Sequence, residues 1–351
     1  MIDLLSLREQ DIVDLMTKNG FPGFRGKQIF QWCQEKGIKN FDNMRNLPDS
    51  LQVWLKENAK VGFGKIADTL VGDEGNTVKF LIKLPGEKGN FSYIETVLMC
   101  YGRVNSRQRN TVCVSTQAGC GMGCKFCASA LGGLDRNLTA GEIVEQVWLS
   151  DNYLKKKNLS PVTNVVFMGM GEPLNNFNEL MKAVTILNEG KNIGMRRMTV
   201  STAGVVPKIS DLAVTNSQIN MAVSLHAPND ELRNKLMPIN KKYPLSRLVA
   251  SIDDYIAVTN RRVTIEYALF KDVNDSDATA LELADLLKGK LVKVNLLRGN
   301  PVKETDLLPP DLGRVEAFGE ILEENGIETM IRESRGRDIN GACGQLRKKI
   351  L

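Results

Sequence analysis

The sequence has no long hydrophobic run, no internal repeat, no low-complexity segment and little net charge. Its 351 residues carry a formal net charge of +5, too small to indicate a nucleic-acid partner by itself. No uninterrupted apolar run approaches the roughly 18 residues of a membrane span. The first ten residues, MIDLLSLREQ, contain acids and a base, unlike a signal or transit peptide. These absences predict a globular protein of the cytoplasm with no membrane partner.

The seven cysteines point to chemistry rather than to disulfide bonds. In a reducing cytoplasm they do not indicate a disulfide framework, and their odd number leaves one thiol unpaired. Three of them, Cys120, Cys124 and Cys127, lie within CGMGCKFC. Structural zinc usually takes two close pairs of ligands, and this loop has no second pair. A [4Fe–4S] cluster takes one thiolate per iron, so three cysteines leave one iron free for an exogenous ligand.

Short apolar runs alternate with longer amphipathic stretches from about residue 105 onward. The runs are TVCVST (111–116), NVVFM (164–168), RMTVS (197–201), INMAVSL (219–225), RVTIEYAL (262–269), VKVNLL (292–297) and IETMI (327–331). Apolar strands separated by helices indicate a parallel sheet with right-handed crossovers. We therefore predict an α/β fold with a barrel or partial barrel. Catalytic groups in such folds collect where strands end, and CGMGCKFC, GMGEP and HAPND each follow one of the runs.

The chain divides into four predicted regions. Residues 1–58 indicate a helical accessory domain, 59–104 a β extension and basic loop, 105–335 the barrel, and 336–351 a tail. The loop YGRVNSRQRN carries Arg103, Arg107 and Arg109, and the last twenty residues hold six bases against two acids. The six bases are Arg332, Arg335, Arg337, Arg347, Lys348 and Lys349. Each basic cluster is either a solvated surface or a phosphate-binding one.

Several motifs together resemble one family from one end of the chain to the other. FRGKQIFQW, YIETV, FMGMGEPL, SLHAP, LMPIN and GACGQL are similar to motifs of the RlmN/Cfr group of radical S-adenosylmethionine (radical SAM) RNA adenine methyltransferases. The resemblance implies a partial (β/α)6 radical SAM barrel with an RNA-binding N-terminal domain. It also implies one [4Fe–4S] cluster on the three loop cysteines and two S-adenosylmethionine molecules per turnover.

The resemblance also implies roles for individual residues. The expected contacts to S-adenosylmethionine are Gly171, Glu172, Ser201, Ser224, Leu225, His226 and Asn300. Cys343 is expected to carry a methyl group, Glu95 to remove a proton from the adenine ring, and Cys113 to form a transient disulfide with Cys343. The alternatives are structural: His226 as a satisfied imidazole, Glu95 as a solvated strand residue, Cys113 as a small buried side chain and Cys343 as a spectator. Cys33 and Cys100 match nothing in the family.

The expected substrates are 23S ribosomal RNA and transfer RNA, with a monomeric enzyme and an electron donor such as flavodoxin. Pro173 resembles the members that methylate carbon 2 of adenosine, whereas Arg298 is more similar to the Cfr type, which methylates carbon 8. Carbon 2 is favoured. The segment between Glu95 and Cys113 is longer than in typical members, which would alter RNA contacts. An alternative of another class is a non-enzymatic RNA-binding protein with a metal centre, which would not need Cys343, Cys113 or Glu95.

Overall fold

The computed structural model describes residues 1–86, 89–104, 107–215 and 217–347, and for residues 103–107 it describes no side chains. The side chains of Arg103 and Arg107, and all of Lys348 and Lys349, therefore lie outside the described residues. In the described part of the chain, no helix combines the length and the apolar character that a membrane crossing requires.

One sheet of ten strands forms the centre of the described structure. Its parallel strands are β6 (Arg107–Cys113), β9 (Asn164–Phe167), β10 (Met198–Thr202), β11 (Asn220–Ser224), β12 (Val263–Leu269), β13 (Val292–Arg298) and β14 (Thr329–Arg332). Its antiparallel strands, β3 (Lys65–Gly72), β4 (Thr77–Pro85) and β5 (Phe91–Val104), continue the sheet beyond β6. The spatial order is β14-β13-β12-β11-β10-β9-β6-β5-β4-β3, and neighbouring strands from β6 to β14 are parallel.

Helices connect the parallel strands, as the alternating pattern predicts. They are α5 (Ala140–Lys156), α6 (Phe177–Lys191), α7 (Val206–Val214), α8 (Asp230–Leu236), α9 (Leu245–Thr259), α10 (Asp277–Leu287) and α11 (Leu312–Glu324). The start of α5 is fixed by a capping box between Thr139 and Glu142. The mixed α/β fold with a central sheet is confirmed, and all seven apolar runs overlap strands of that sheet.

The segment 59–104 does not form a separate β element. Strands β3 (Lys65–Gly72), β4 (Thr77–Pro85) and β5 (Phe91–Val104) extend the central sheet beyond β6 by antiparallel pairing. The predicted polar loop at 101–110 is wrong for its described residues, because β5 extends to Val104 and β6 begins at Arg107, and these two residues pair. Polar alternation is compatible with a strand whose faces are both partly solvated, so composition alone did not reveal the hairpin.

The N-terminal helices pack against the outside of the barrel. They are α1 (Glu9–Lys18), α2 (Phe24–Phe30) and α3 (Asp49–Asn58), and a short parallel pair, β1 (Ile2–Asp3) with β2 (Ala59–Lys60), closes the unit. Gly26 lies against the backbone of α1, where a Cβ would come within 2.5 Å of Val13. The buried carboxylate of Glu145 on α5 joins the two parts: it pairs with Lys39 at 3.0 Å and accepts the backbone N–H of Gly64 at 2.7 Å.

A second, small sheet supports the cysteine loop. Strand β7 (Gln117–Gly119) precedes the loop and pairs antiparallel with β8 (Leu134–Asn137), and the one-turn helix α4 (Ala128–Leu131) lies between them. Gly119 has a φ of +77°, and a Cβ there would collide with the carbonyl oxygen of Gly133. A glycine is therefore required where the chain enters the loop.

Candidate active site at the strand ends

A cavity of about 170 Å³ opens where the parallel strands end. Its wall includes all three loop cysteines and residues that follow five different strands. The predicted site residues on this wall are Cys120, Cys124, Cys127, Gly171, Glu172, Ser201, Ser224, His226, Asn300 and Cys343. Parallel strands bring these segments together because their carboxyl ends meet at one edge of the sheet.

The cysteine loop is held by main-chain hydrogen bonds on three sides. Cys120 N–H donates to Gly133 O at 3.0 Å, Lys125 N–H to Leu236 O at 2.9 Å, and Ala128 N–H to Gly344 O at 2.7 Å. Burial raises the pKa of the Cys124 thiol. The neighbouring Cys127 and Cys120 thiols are close enough that a negative charge on either raises this pKa further.

The donor set of the loop is compatible with a cluster. In the described residues, no three His, Cys, Asp or Glu side chains converge closely enough to hold a single metal ion. In an iron–sulfur cluster each thiolate binds a different iron, so its three thiols need not meet at one point. The spacing and the shared cavity wall therefore agree with a cluster better than with one zinc ion.

Glu172 lies at the floor of the cavity. Its Oε2 accepts the N–H of Ala203 at 2.7 Å, its Oε1 accepts the N–H of Leu174 at 3.1 Å, and burial raises the pKa of its carboxyl to about 7. Gly171 has a φ of +104°, and a Cβ there would meet Gln117 at 2.6 Å. No lysine or arginine of the described residues forms an ion pair with Glu172. This buried carboxylate is therefore a suitable partner for an ammonium group, because an opposite charge favours its ionised form.

His226 is held as a neutral imidazole. It has a left-handed φ of +56°, and its Nδ1 accepts the N–H of Ala268 at 2.8 Å, so the ring proton lies on Nε2. Burial, and then the charge of Arg233, lowers its pKa to about 3. The ring meets Phe126 of the cysteine loop edge-on, at 4.7 Å between ring centroids.

The other expected cofactor contacts divide into two groups. Ser201 and Ser224 are half-buried near the ends of β10 and β11 and line the cavity. Asn300 also lines it, and its Nδ2 donates to Cys343 O at 3.0 Å. Leu225 does not line the cavity: its side chain is fully buried, while its N–H donates to Glu266 O at 3.0 Å. Leu225 therefore supports the wall from behind.

Cys343 and Cys113 approach each other from different elements. Cys113 ends β6 and is buried, whereas Cys343 is exposed on the C-terminal segment, and both are free thiols. Both line a second, smaller cavity, and Cys343 lines the cluster-loop cavity as well. Burial, and then the neighbouring Cys343, raises the pKa of the Cys113 thiol to about 12. The structure thus places Cys343 between the cysteine loop and Cys113.

Glu95 does not line the cluster-loop cavity. It is buried on β5, pairs with Lys79 at 3.0 Å and accepts the N–H of Arg347 at 2.7 Å. Lys79 also donates to Asn340 O at 3.1 Å. Glu95 and Lys79 line a separate cavity of about 270 Å³, whose wall also includes Asn340, Gln345 and Arg347. The C-terminal segment therefore borders both this cavity and the cluster-loop cavity, which Cys343 lines.

Three residues with clear structural roles at the site were not singled out individually from the sequence. Arg332 lines both cavities that contain Cys343, Lys79 pairs with Glu95, and Arg233 binds the carbonyls behind the cavity wall. In the sequence, Arg332 is only one of the six bases in the last twenty residues. Lys79 and Arg233 lie in an ordinary strand and helix pattern, and nothing in the sequence shows that their charges are buried.

Comparison with known proteins gives a consistent result along the chain. Residues 114–284 match the family described as the radical SAM superfamily, and residues 2–61 match the ribosomal RNA large subunit methyltransferase N-terminal domain. A "probable dual-specificity RNA methyltransferase RlmN" of Alkaliphilus oremlandii is 46% identical over 352 residues, covering 100% of this chain and 98% of the relative. A protein of the same name from Clostridium botulinum strain Hall is 44% identical over 353 residues, covering 100% and 99%.

A solved structure agrees with these relatives. A radical SAM methyltransferase from Sphaerobacter thermophilus superimposes with a TM-score of 0.92 at 43% sequence identity, covering 99% of both chains. The fold, the cysteine loop and the cavity at the strand ends are those of a radical SAM enzyme. Within that superfamily the chain belongs to the RlmN family of methyltransferases. The family implies a [4Fe–4S] cluster and S-adenosylmethionine.

Proposed function

We propose that this enzyme methylates carbon 2 of an adenosine in 23S ribosomal RNA and of the adenosine just 3′ of certain transfer-RNA anticodons. The names of the full-length relatives support RNA as the substrate and two kinds of target. The observation that carries the proposal is the position of Cys343, which lines both the cluster-loop cavity and the cavity of Cys113. A carrier that accepts a methyl group in one place and is attacked by a thiol in the other needs that position.

The residues of the cluster-loop cavity would hold the two cofactors. Cys120, Cys124 and Cys127 would bind the cluster, with Glu172 opposite the amino group of S-adenosylmethionine. The remaining contacts would come from Gly171, Ser201, Ser224, His226 and Asn300, with Leu225 supporting the wall. When bound, these groups supply the methyl carbon and a one-electron means of activating it, and the two tasks require two S-adenosylmethionine molecules per turnover.

The side chains of the protein would perform the remaining steps. As a thiolate, Cys343 accepts the methyl group. One hydrogen atom of this methyl group would be lost to the bound cofactors, which lets the carbon bond to the adenine ring while still attached to sulfur. One electron from the ring would then return to the bound cofactors. Glu95 removes the ring proton. The Cys113 thiolate attacks the Cys343 sulfur, so a sulfur–sulfur bond forms and the carbon–sulfur bond breaks. The released carbon takes a proton and becomes the methyl group of the product, and a reductant must then restore both thiols.

The hydrogen bonds of Glu95 constrain this sequence. Its carboxylate is occupied by Lys79 and by the N–H of Arg347. Each oxygen keeps a second lone pair for a ring proton, and we infer that the bond from Arg347 N–H weakens as the C-terminal segment moves on RNA entry. We further propose that the enzyme acts as a monomer in the cytoplasm and takes its electrons from a donor such as flavodoxin.

Replacing the two cysteines separately tests the proposal. Cys343→Ala should carry no methyl group and form no covalent RNA adduct. Cys113→Ala should still be methylated and attack RNA, and should then accumulate protein joined to RNA through Cys343, because no thiol is left to cleave the carbon–sulfur bond. Denaturing gels and peptide mass spectrometry of protein purified from cells measure both outcomes, with Cys100→Ala as the matched control.

An RNA-linked band in the Cys343 variant would mean that the methyl carrier is another residue. Mass spectrometry of digested ribosomal RNA from a deletion strain, with and without the native gene, separates carbon 2 from carbon 8. Unmodified adenosine in both strains would favour a non-enzymatic RNA-binding protein.

A further inference from the structure

Arg233, on α8, is the largest of the fully buried side chains in the described structure, with 0% of its surface exposed. Its guanidinium donates four hydrogen bonds, all to neutral oxygens. These are Ala203 O at 2.7 Å, Asn240 Oδ1 at 2.9 Å, Leu225 O at 3.2 Å and Ser224 O at 3.2 Å. A buried charge normally has a partner of opposite charge, because leaving water is costly. Arg233 is instead solvated by carbonyl dipoles.

These carbonyls belong to the wall of the cluster-loop cavity. Ala203 follows β10, Ser224 ends β11, and both line the cavity. The Ala203 peptide is held from both sides, since its N–H donates to Glu172 Oε2 at 2.7 Å while its carbonyl accepts from Arg233. Arg233 therefore fixes the ends of two neighbouring strands at the cavity.

The helix that carries Arg233 also touches the cysteine loop. The carbonyl of Leu236, in the last turn of α8, accepts the N–H of Lys125 at 2.9 Å. Cys124 packs against a small apolar cluster that includes Leu236 and Met237. The Arg233 charge acts on Cys124 across this contact, and burial lowers the pKa of Arg233 only to about 10, so it stays protonated near neutral pH.

The neighbouring acid does not neutralise this charge. Asp230, the nearest carboxylate that acts on Arg233, is exposed at the start of α8 and accepts its own hydrogen bonds from Asn240 and from Leu245 N–H. Water screens an exposed charge strongly. The buried guanidinium is therefore a net positive charge beside the cysteine loop.

We propose that Arg233 is a positioning residue whose buried charge raises the reduction potential of the cluster held by Cys120, Cys124 and Cys127. This inference rests on the proposed function, because it assumes that the loop binds the cluster. Reduction adds one negative charge to the cluster, and a buried cation nearby stabilises the more negative form. The same side chain that shapes the cavity wall thus makes the cluster easier to reduce.

The test is a redox titration of the full-length, anaerobically reconstituted protein, with the reduced cluster followed by electron paramagnetic resonance. Arg233→Gln removes the charge, and at a fixed solution potential the ratio of reduced to oxidised cluster should fall about tenfold, a shift of about 59 mV for one electron. Arg233→Lys keeps the charge and should stay within about twofold of the native ratio. The matched control is Arg261→Gln, since Arg261 is half-buried just before β12, at the opposite end of the barrel.

The iron content distinguishes failure of the proposed function from failure of the role proposed for Arg233. A native protein that binds no iron and sulfide rejects the proposed function itself. A Gln variant with a full cluster and the native potential overturns the role of Arg233 and leaves the proposed function intact.

A Gln variant that cannot hold a cluster requires a milder change. Asn240→Asp places a carboxylate directly on the guanidinium, and its Oδ1 can still accept from Arg233 Nη1. The ratio of reduced to oxidised cluster should again fall, and an unchanged ratio in that variant would overturn the proposal. Loss of the cluster from the Gln and Lys variants alike would also overturn it, because Arg233 would then serve the fold alone.

Discussion

At the scale of single residues, the site depends on charges buried among neutral groups. Lys79 and Glu95 are both more than nine-tenths buried and pair at 3.0 Å. A buried ion pair is often no more stabilising than two well-packed apolar residues, but removal of one partner leaves an uncompensated charge. The pair also holds the C-terminal segment, through Asn340 O and Arg347 N–H.

A single variant and a double variant test this pair. Lys79→Met should lower the free energy of unfolding by about 3 kcal/mol, because Glu95 is left as a buried, unpaired carboxylate. Lys79→Met combined with Glu95→Gln should recover most of that loss. Chemical denaturation followed by circular dichroism checks both values. A double variant as unstable as Lys79→Met would show that Lys79 acts through packing.

At the scale of elements, the β5–β6 hairpin and the segment after β14 build a basic surface beside the Cys113 cavity. Tyr101 lies between two guanidinium groups, 4.5 Å from that of Arg335 and 5.0 Å from that of Arg109, measured to the ring centroid. Tyr101 and Arg335 also line the cavity that contains both Cys113 and Cys343. Guanidinium groups and an aromatic ring together suit phosphates and unstacked bases.

Salt dependence of RNA binding tests this surface. Arg109→Gln and Arg335→Gln should each weaken binding and reduce the slope of log K against log salt concentration by about 0.7 to 0.9, since each removes one phosphate contact. The control is Arg262→Gln, because Arg262 is exposed at the amino end of β12 and pairs with Glu328. Slopes equal to that of the control would assign Arg109 and Arg335 to an ordinary solvated surface.

At the scale of the whole molecule, the N-terminal helices and the barrel share a buried polar contact. The Glu145 side chain is 1% exposed and accepts from Lys39 Nζ and from the N–H groups of Phe63 and Gly64. Lys39 is 40% exposed, so its attraction is partly screened, and the two backbone donors account for most of the cost of losing the acceptor.

Glu145→Ala should therefore destabilise the junction by about 2 kcal/mol. Hydrogen exchange should then speed up in residues 1–64 more than in the barrel strands, because the N-terminal unit loses its connection first. Glu145→Gln keeps one acceptor and should give an intermediate rate. Equal acceleration throughout the chain would mean that the two parts unfold as one unit.

The sequence by itself determined the local features of this protein. The apolar runs specify the parallel strands because both faces of such a sheet are buried. The spacing of Cys120, Cys124 and Cys127 indicates a cluster loop because three thiolates within eight residues have few other uses. The roles of Glu95, Cys113 and Cys343 came from resemblance and remain proposals, although the structure does bring the last two to one cavity.

Only the tertiary structure decided which distant groups meet. It joined β3–β5 to the barrel sheet, because strand pairing depends on partners far along the chain. It brought the C-terminal segment to the cavities of both Glu95 and the loop cysteines. It buried Lys79 and Arg233 and half-buried Arg332, three residues that in the sequence cannot be told from surface charges. Charge burial depends on every element packed around a side chain, and local sequence carries no record of those neighbours.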